Sequence, residues 1–197
     1  ERIFYYCAEG VIELRDIFTE KPFHDHVTQS TCPGKPERVL FIGPFPSRLE
    51  FYITRIAEAL QKGRNVLMML PDYFMTGTYF YSLLKKEFPD KVYWYSTAIQ
   101  VRSRMATFFH ARHGKGIVIL GNKNCAFLPI THNALIIVER FEEDDFRNEE
   151  GFRFNAGRVA EQRVSIENIP IIHGSASASI ELFKRVKDGE FTVIEKA

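Results

Sequence analysis

The sequence predicts an α/β domain whose sheet is mainly parallel and covered by helices on both faces. From Arg38 onward, short apolar runs alternate with stretches of helical periodicity. The runs are continuous rather than alternating, as in Gly116-Ile-Val-Ile-Leu-Gly121 and Ala134-Leu-Ile-Ile-Val138. Such strands bury both faces, which is the habit of parallel sheets. A chain of 197 residues, 45% hydrophobic and 26% charged, suits one domain of this kind with an appended segment.

The elements follow in order. Residues 1–36 read as a lead-in segment or linker: Val11, Leu14 and Phe18 form a weak helical stripe that Lys21-Pro-Phe-His-Asp-His26 and Thr31-Cys-Pro-Gly-Lys-Pro36 break up. Residues 37–197 form the domain. Arg38-Val-Leu-Phe-Ile42 is a buried strand ending at Gly43. Leu49, Tyr52, Ile53, Ile56 and Leu60 recur at helical spacing, with Gly63 as the stop. Asn65–Leu70 is the next strand, closed by Pro71, and a helix covers Thr78 to Phe88. Lys91–Tyr95 is strand-like and Val101–His113 helix-like. After the two apolar runs, a helix from Asn155 to Ile166 precedes the strand Ile169–His173. A last helix precedes Phe191–Ile194.

Composition excludes several classes. The 26 basic residues against 25 acidic ones give a net charge of +1, which rules out a polyanion-coating protein but not a local nucleic-acid face. Cys7, Cys32 and Cys125 have no disulfide or zinc spacing, as expected of a reducing, cytoplasmic setting. His24, His26, Cys7 and Cys32 could be grouped as metal ligands on paper, but their spacing matches no structural zinc pattern, so no metal is expected. No apolar run has the length of a membrane span, and Glu1-Arg2-Ile3 does not open a signal peptide. The first residue is not Met, as in a piece cut from a longer chain.

Ligands of such sheets sit beyond the carboxyl ends of the strands. The first strand-to-helix turn there is Gly43-Pro44-Phe45-Pro46-Ser47-Arg48-Leu49. A phosphate loop needs consecutive backbone N–H donors, a Lys for the outer phosphates and a hydroxyl for magnesium. Pro44 and Pro46 have no N–H to offer, Arg48 stands where the Lys belongs and Leu49 where the hydroxyl belongs. Gly43, Ser47 and Arg48 thus look like a vestigial nucleotide site. Glu139, straight after the strand Leu135–Val138, stands where a nucleotidase holds magnesium, but the next residue, Arg140, stays protonated and cannot act as a base. The acidic run 142–145 reads as a solvated loop.

Between Asp90 and Glu139 there is no acidic residue, while Lys91, Arg102, Arg104, Arg112, Lys115 and Lys123 all fall there. Such segregation serves either a solubilising helix face or a shallow surface for phosphate backbones. Arg102, Arg104 and Lys123 are the DNA-binding candidates.

Four ordered blocks carry a family resemblance. They are Leu70-Pro-Asp-Tyr-Phe-Met-Thr76, Gly121-Asn-Lys-Asn-Cys-Ala-Phe-Leu-Pro129, the stretch from Leu135 through Glu149-Glu-Gly151 to Arg153-Phe-Asn-Ala156, and Ile169-Pro-Ile-Ile-His-Gly-Ser-Ala-Ser-Ala-Ser-Ile-Glu181. Together they resemble the PriA family of primosomal replication-restart helicases, from about Arg38 to Ala197. The resemblance implies a RecA-like P-loop NTPase fold, the first lobe of a helicase, with branched or single-stranded DNA and primosome proteins as partners. The departures fall on the chemistry: Pro46-Ser47-Arg48-Leu49 replaces Gly-Ser-Gly-Lys-Thr, and Glu139-Arg140-Phe141-Glu142 replaces the Asp-Glu-Glu-His box. The expectation is a degenerate lobe without catalytic residues or cofactor. An active lobe using ATP and magnesium, with Arg48 for Lys and Glu139 on the metal, is the enzyme alternative. A pseudo-NTPase interaction domain that has lost DNA binding is the third.

Overall fold

The computed structural model describes residues 4–7, 10–13, 36–71, 77–130, 133–177 and 180–196. Seven strands form one wholly parallel sheet: β3 (Arg38–Ile42), β4 (Val66–Met69), β5 (Val92–Tyr95), β6 (Val118–Gly121), β7 (Leu135–Glu139), β10 (Ile171–Ser175) and β11 (Thr192–Glu195). Their order across the sheet is β11-β3-β10-β7-β4-β6-β5. Two small antiparallel pairs stand apart from it: β1 (Phe4–Cys7) with β2 (Gly10–Glu13), and β8 (Arg147–Asn148) with β9 (Phe154–Asn155).

The central strands are apolar throughout because both faces are covered. Val66, Met68, Val118, Leu120, Leu135 and Ile137 pack with Tyr52, Ile56 and Leu60 of α1 (Phe45–Gln61) and with Phe80 and Leu84 of α2 (Thr78–Glu87). The intervening Leu67, Met69, Ile119, Ile136 and Val138 pack on the opposite face. There they meet Ala111 of α3 (Val101–His113) and Ala156, Ala160 and Val164 of α4 (Ala156–Glu167). Leu182 of α5 (Ile180–Lys187) closes over Leu40 and Phe191 on that same side. A two-sided sheet of this kind is the predicted fold.

Two expectations need correction or placement. Val11 lies in strand β2, so it is not part of a helical stripe; Leu14 and Phe18 lie outside the described residues. The side chains of Cys7, His24, His26 and Cys32 also lie outside them. Among the described residues, no group of three or more His, Cys, Asp or Glu is placed to hold a metal ion. None of their helices is long and apolar enough to cross a membrane.

Because all seven strands run the same way, their carboxyl ends share one edge. In register, Gly174 of β10 lies between Phe41 of β3 and Glu139 of β7. This brings the turn after Gly43 beside Glu139.

Candidate nucleotide site and nucleic-acid interface

Helix α1 begins directly after the first strand, with Pro44 as an extended N-cap at φ −64° and ψ 155° and Pro46 in its first turn. Proline tolerates these positions, since first-turn N–H groups have no partner within the helix. The cost is to anion binding: neither proline can donate. The Gly43 N–H is already given to the Ser175 carbonyl at 3.1 Å, and the Arg48 N–H to the Pro44 carbonyl at 3.1 Å. Phe45 and Ser47 keep the remaining first-turn donors.

Arg48 does not point out of the turn. Its Nε and Nη2 donate to Glu139 Oε2 at 3.1 Å and Oε1 at 2.6 Å, a two-pronged pairing. Nη1 donates to the Gly43 carbonyl at 2.5 Å, so the guanidinium ties both ends of the turn to β7. Tyr52, one turn along α1, donates its hydroxyl to Glu139 Oε2 at 2.6 Å. Arg48 is 3% exposed and Glu139 0%, so the pair is cut off from water. Burial by itself would favour neutral arginine, but the hydrogen bonds and charge of Glu139 outweigh it and raise the guanidinium pKa. Burial, reinforced by the Glu139 charge, holds the Tyr52 phenol well above its ordinary range, so it stays a donor.

Gly174 makes room for this arrangement. A Cβ there would stand 1.5 Å from the Tyr52 hydroxyl and 2.8 Å from Glu139 Oε2. Ser47 is half-buried in the first turn, and Leu49, beside Arg48, presents no oxygen. Arg140 has a left-handed backbone (φ 52°) and pairs its side chain with Glu143 near the surface. The structure therefore brings Gly43, Arg48 and Glu139 together and adds Tyr52, which sequence reasoning had treated only as a core position.

The three basic candidates lie at the same carboxyl edge, toward its far end. Arg102 is exposed in the first turn of α3, after β5. Arg104 sits half-buried near Tyr95, where its charge offsets part of the rise that burial causes in the Tyr95 pKa. Two residues apart on a helix, the two arginines diverge by about 200° and do not share one face. Lys123 opens a short 3-10 turn, Lys123–Phe127, and donates to the Arg147 carbonyl at 3.1 Å. Tyr95 and Gly121 are register partners, so these segments are neighbours. Lys91 and Lys115 precede their strands and Arg112 ends α3, which places all three at the opposite edge. The acid-free stretch is thus divided between two ends of the sheet.

Next to Lys123 lies a feature the sequence reading missed. Arg147, Asn148, Glu149, Arg153, Phe154 and Asn155 line an open cleft of about 500 Å³ on the β8–β9 hairpin. Phe127 meets Phe154 edge-on at 4.9 Å, and Phe152 lies nearly parallel to Phe154 at 6.0 Å. Phe127 is 53% and Phe152 77% exposed, a large apolar surface to leave in water. The signal was Phe152-Arg153-Phe154, aromatic and basic residues interleaved.

No family model matches the chain. The replication restart protein PriA of Rickettsia conorii is 24% identical over 147 residues, 75% of this chain and 22% of that protein. PriA of Buchnera aphidicola is 29% identical over 137 residues, 69% of this chain and 19% of the relative. PriA of Thermotoga maritima is 26% identical over 151 residues, 76% and 20% respectively. The chain is PriA-like. This PriA-like chain spans between 19% and 22% of the length of those three relatives. Among solved structures, T4 UvsW matches 82% of the PriA-like chain and 41% of its own, with a TM-score of 0.50 and 15% identity. That likeness bears out the α/β, RecA-like fold.

Proposed function

We propose that this PriA-like chain is a helicase lobe of a replication-restart protein that binds DNA and primosome partners without hydrolysing ATP. The observation that carries the reading is the buried pairing of Arg48 with Glu139. Hydrolysis by this fold needs donors around the phosphates, ligands for magnesium and a residue that orients water. The residues present do not fit magnesium and ATP. Two prolines remove donors, Leu49 supplies no hydroxyl, and Arg140 is a cation where a carboxylate would be needed. The carboxylate at the end of β7, Glu139, accepts three hydrogen bonds from Arg48 and Tyr52. A metal ion would have to displace them.

DNA binding is supported by Lys123, Arg147 and Arg153 beside the exposed Phe127 and Phe152, with Arg102 on the same edge of the sheet. Cations for the backbone beside aromatic faces for the bases are the two components of single-strand recognition. With such a partner, a cytoplasmic location follows.

The test is phosphate release by the full-length protein with forked DNA and magnesium. No release above background is expected. DNA-stimulated turnover that disappears in Glu139→Ala would overturn the proposal in favour of an active helicase lobe.

A further inference from the structure

Arg163 lies in the third turn of α4, with its side chain only 15% exposed. Its guanidinium is fully engaged on two sides. Nε and Nη2 meet the two carboxylate oxygens of Glu167, one turn on, at 2.6 and 3.2 Å. Nη1 donates to the carbonyls of Ala126 at 3.1 Å and Leu128 at 3.0 Å. Those carbonyls close the 3-10 turn Lys123–Phe127, which buries Cys125 and Ala126 in the core and leaves Phe127 53% exposed at its end. Asn122 caps its start through Asn124 N–H at 3.3 Å, and the Cys125 and Leu128 amides make one hydrogen bond each, at 3.0 and 3.1 Å. A 3-10 turn this short has poor hydrogen-bond geometry and depends on outside partners for its last carbonyls.

The turn is what joins Lys123 and Phe127 to the hairpin, through the Arg147 carbonyl and the Phe154 ring. Resting on the DNA-binding reading above, we infer that Arg163 is a positioning residue for that interface: it holds the Lys123–Phe127 turn at the height where Phe127 meets Phe154, without itself touching nucleic acid. Glu167 fixes the orientation of the planar fork so that Nη1 faces both carbonyls. Lysine, with a single ammonium and no fork, can reach one of them but not keep this double geometry. Methionine fills the stem and offers no donor.

The experiment compares the full-length protein with Arg163→Met and Arg163→Lys. It measures hydrogen exchange of the 122–128 segment and binding of a labelled single-stranded oligo-dT over a salt series. In Arg163→Met, exchange at the turn is expected to rise about tenfold while that of β7 is unchanged, since the opening is local. Affinity is expected to fall about fivefold or more, the scale of a misplaced stacking ring. The salt slope should shrink by about 0.7 as Lys123 loses its place. Arg163→Lys should recover part of both effects. Wild-type-like binding and exchange in Arg163→Met overturns the inference alone. So does a loss of binding that tracks faster exchange in β7, since the residue would then be merely structural. A wild-type protein that binds no oligo-dT overturns the reading of the cleft, and this inference with it.

Discussion

Arg48 and Glu139, 91 residues apart in the chain, meet as a buried two-pronged ion pair with Nη2 2.6 Å from Oε1. Helix α1 supplies the cation and the end of β7 the anion, with Gly174 between their strands. Removing one partner leaves the other charged and dry. Arg48→Met should therefore lower the unfolding free energy by about 3–5 kcal/mol. Adding Glu139→Gln should recover more than half of that loss, because the charge left stranded is gone. Urea unfolding of the four proteins in the cycle measures this, and strictly additive losses would contradict the coupling.

Gly174 gives a second expectation. Alanine there collides with the Tyr52 hydroxyl, so Gly174→Ala should be among the most damaging small substitutions in the chain, on the order of 3 kcal/mol or more. Removing that hydroxyl by Tyr52→Phe opens space. The double variant should melt higher than Gly174→Ala alone, although Tyr52→Phe by itself costs about 1.5–3 kcal/mol for its bond to a charged group. A double variant that melts no higher would show that the collision is elsewhere.

How far could these relations be read from sequence? The strands could be, because Val118-Ile-Leu and Leu135-Ile-Ile-Val have apolar residues on both faces and few other uses. The helix after Gly43 was recognised from Leu49 onward but begins at Phe45, since prolines look like a break when they are in fact compatible with a first turn. The partners Arg48 and Glu139 were both singled out, yet each was read as facing a ligand. No spacing rule joins two residues so distant until the strand order is known. The division of the basic stretch was legible in principle: Lys91 and Lys115 precede strands whereas Lys123 follows one, and strand direction then decides the edge. Phe127 stayed hidden because it sits in a 3-10 turn while its partner Phe154 lies in the β8–β9 hairpin, far along the chain.

Acid sensitivity should arise at His173. The ring is buried edge-on against Phe141 at 4.3 Å and Phe191 at 5.3 Å, with Glu161 3.5 Å from Nε2. Burial, with the charges of Arg185, Arg38 and Arg158, pushes its pKa down to about 3 from the usual 6.5. Between those values the unfolded chain carries a proton that the folded one refuses, so stability falls as pH drops through that window. The slope for one such proton is on the order of 1 kcal/mol per pH unit, and above pH 6.5 this group contributes none. His173→Gln should flatten the dependence below pH 6.5 in urea titrations and leave it unchanged above that value. An unchanged slope would assign the acid sensitivity to other groups.

The two edges of the sheet should differ toward nucleic acid. Phe152→Ala should weaken oligo-dT binding by about 1–3 kcal/mol, and Arg153→Ala should reduce the magnitude of the salt slope by about 0.7. Lys91→Ala and Lys115→Ala, at the opposite edge, should change neither quantity beyond error. Equal losses from both sets in a fluorescence-anisotropy titration would mean that binding follows overall charge rather than this surface.

The Arg48–Glu139 pair also constrains the paths open to this sequence over generations. A lysine at 48 or a smaller acid at 139, arriving singly, would meet a partner shaped for the other residue in a pocket with no water to absorb the mismatch. Each single step toward a nucleotide-binding turn therefore passes through a less stable protein, and Pro44 and Pro46 lengthen the route further. Exposed positions that touch no partner can change one at a time, while the interior pair behaves as a ratchet.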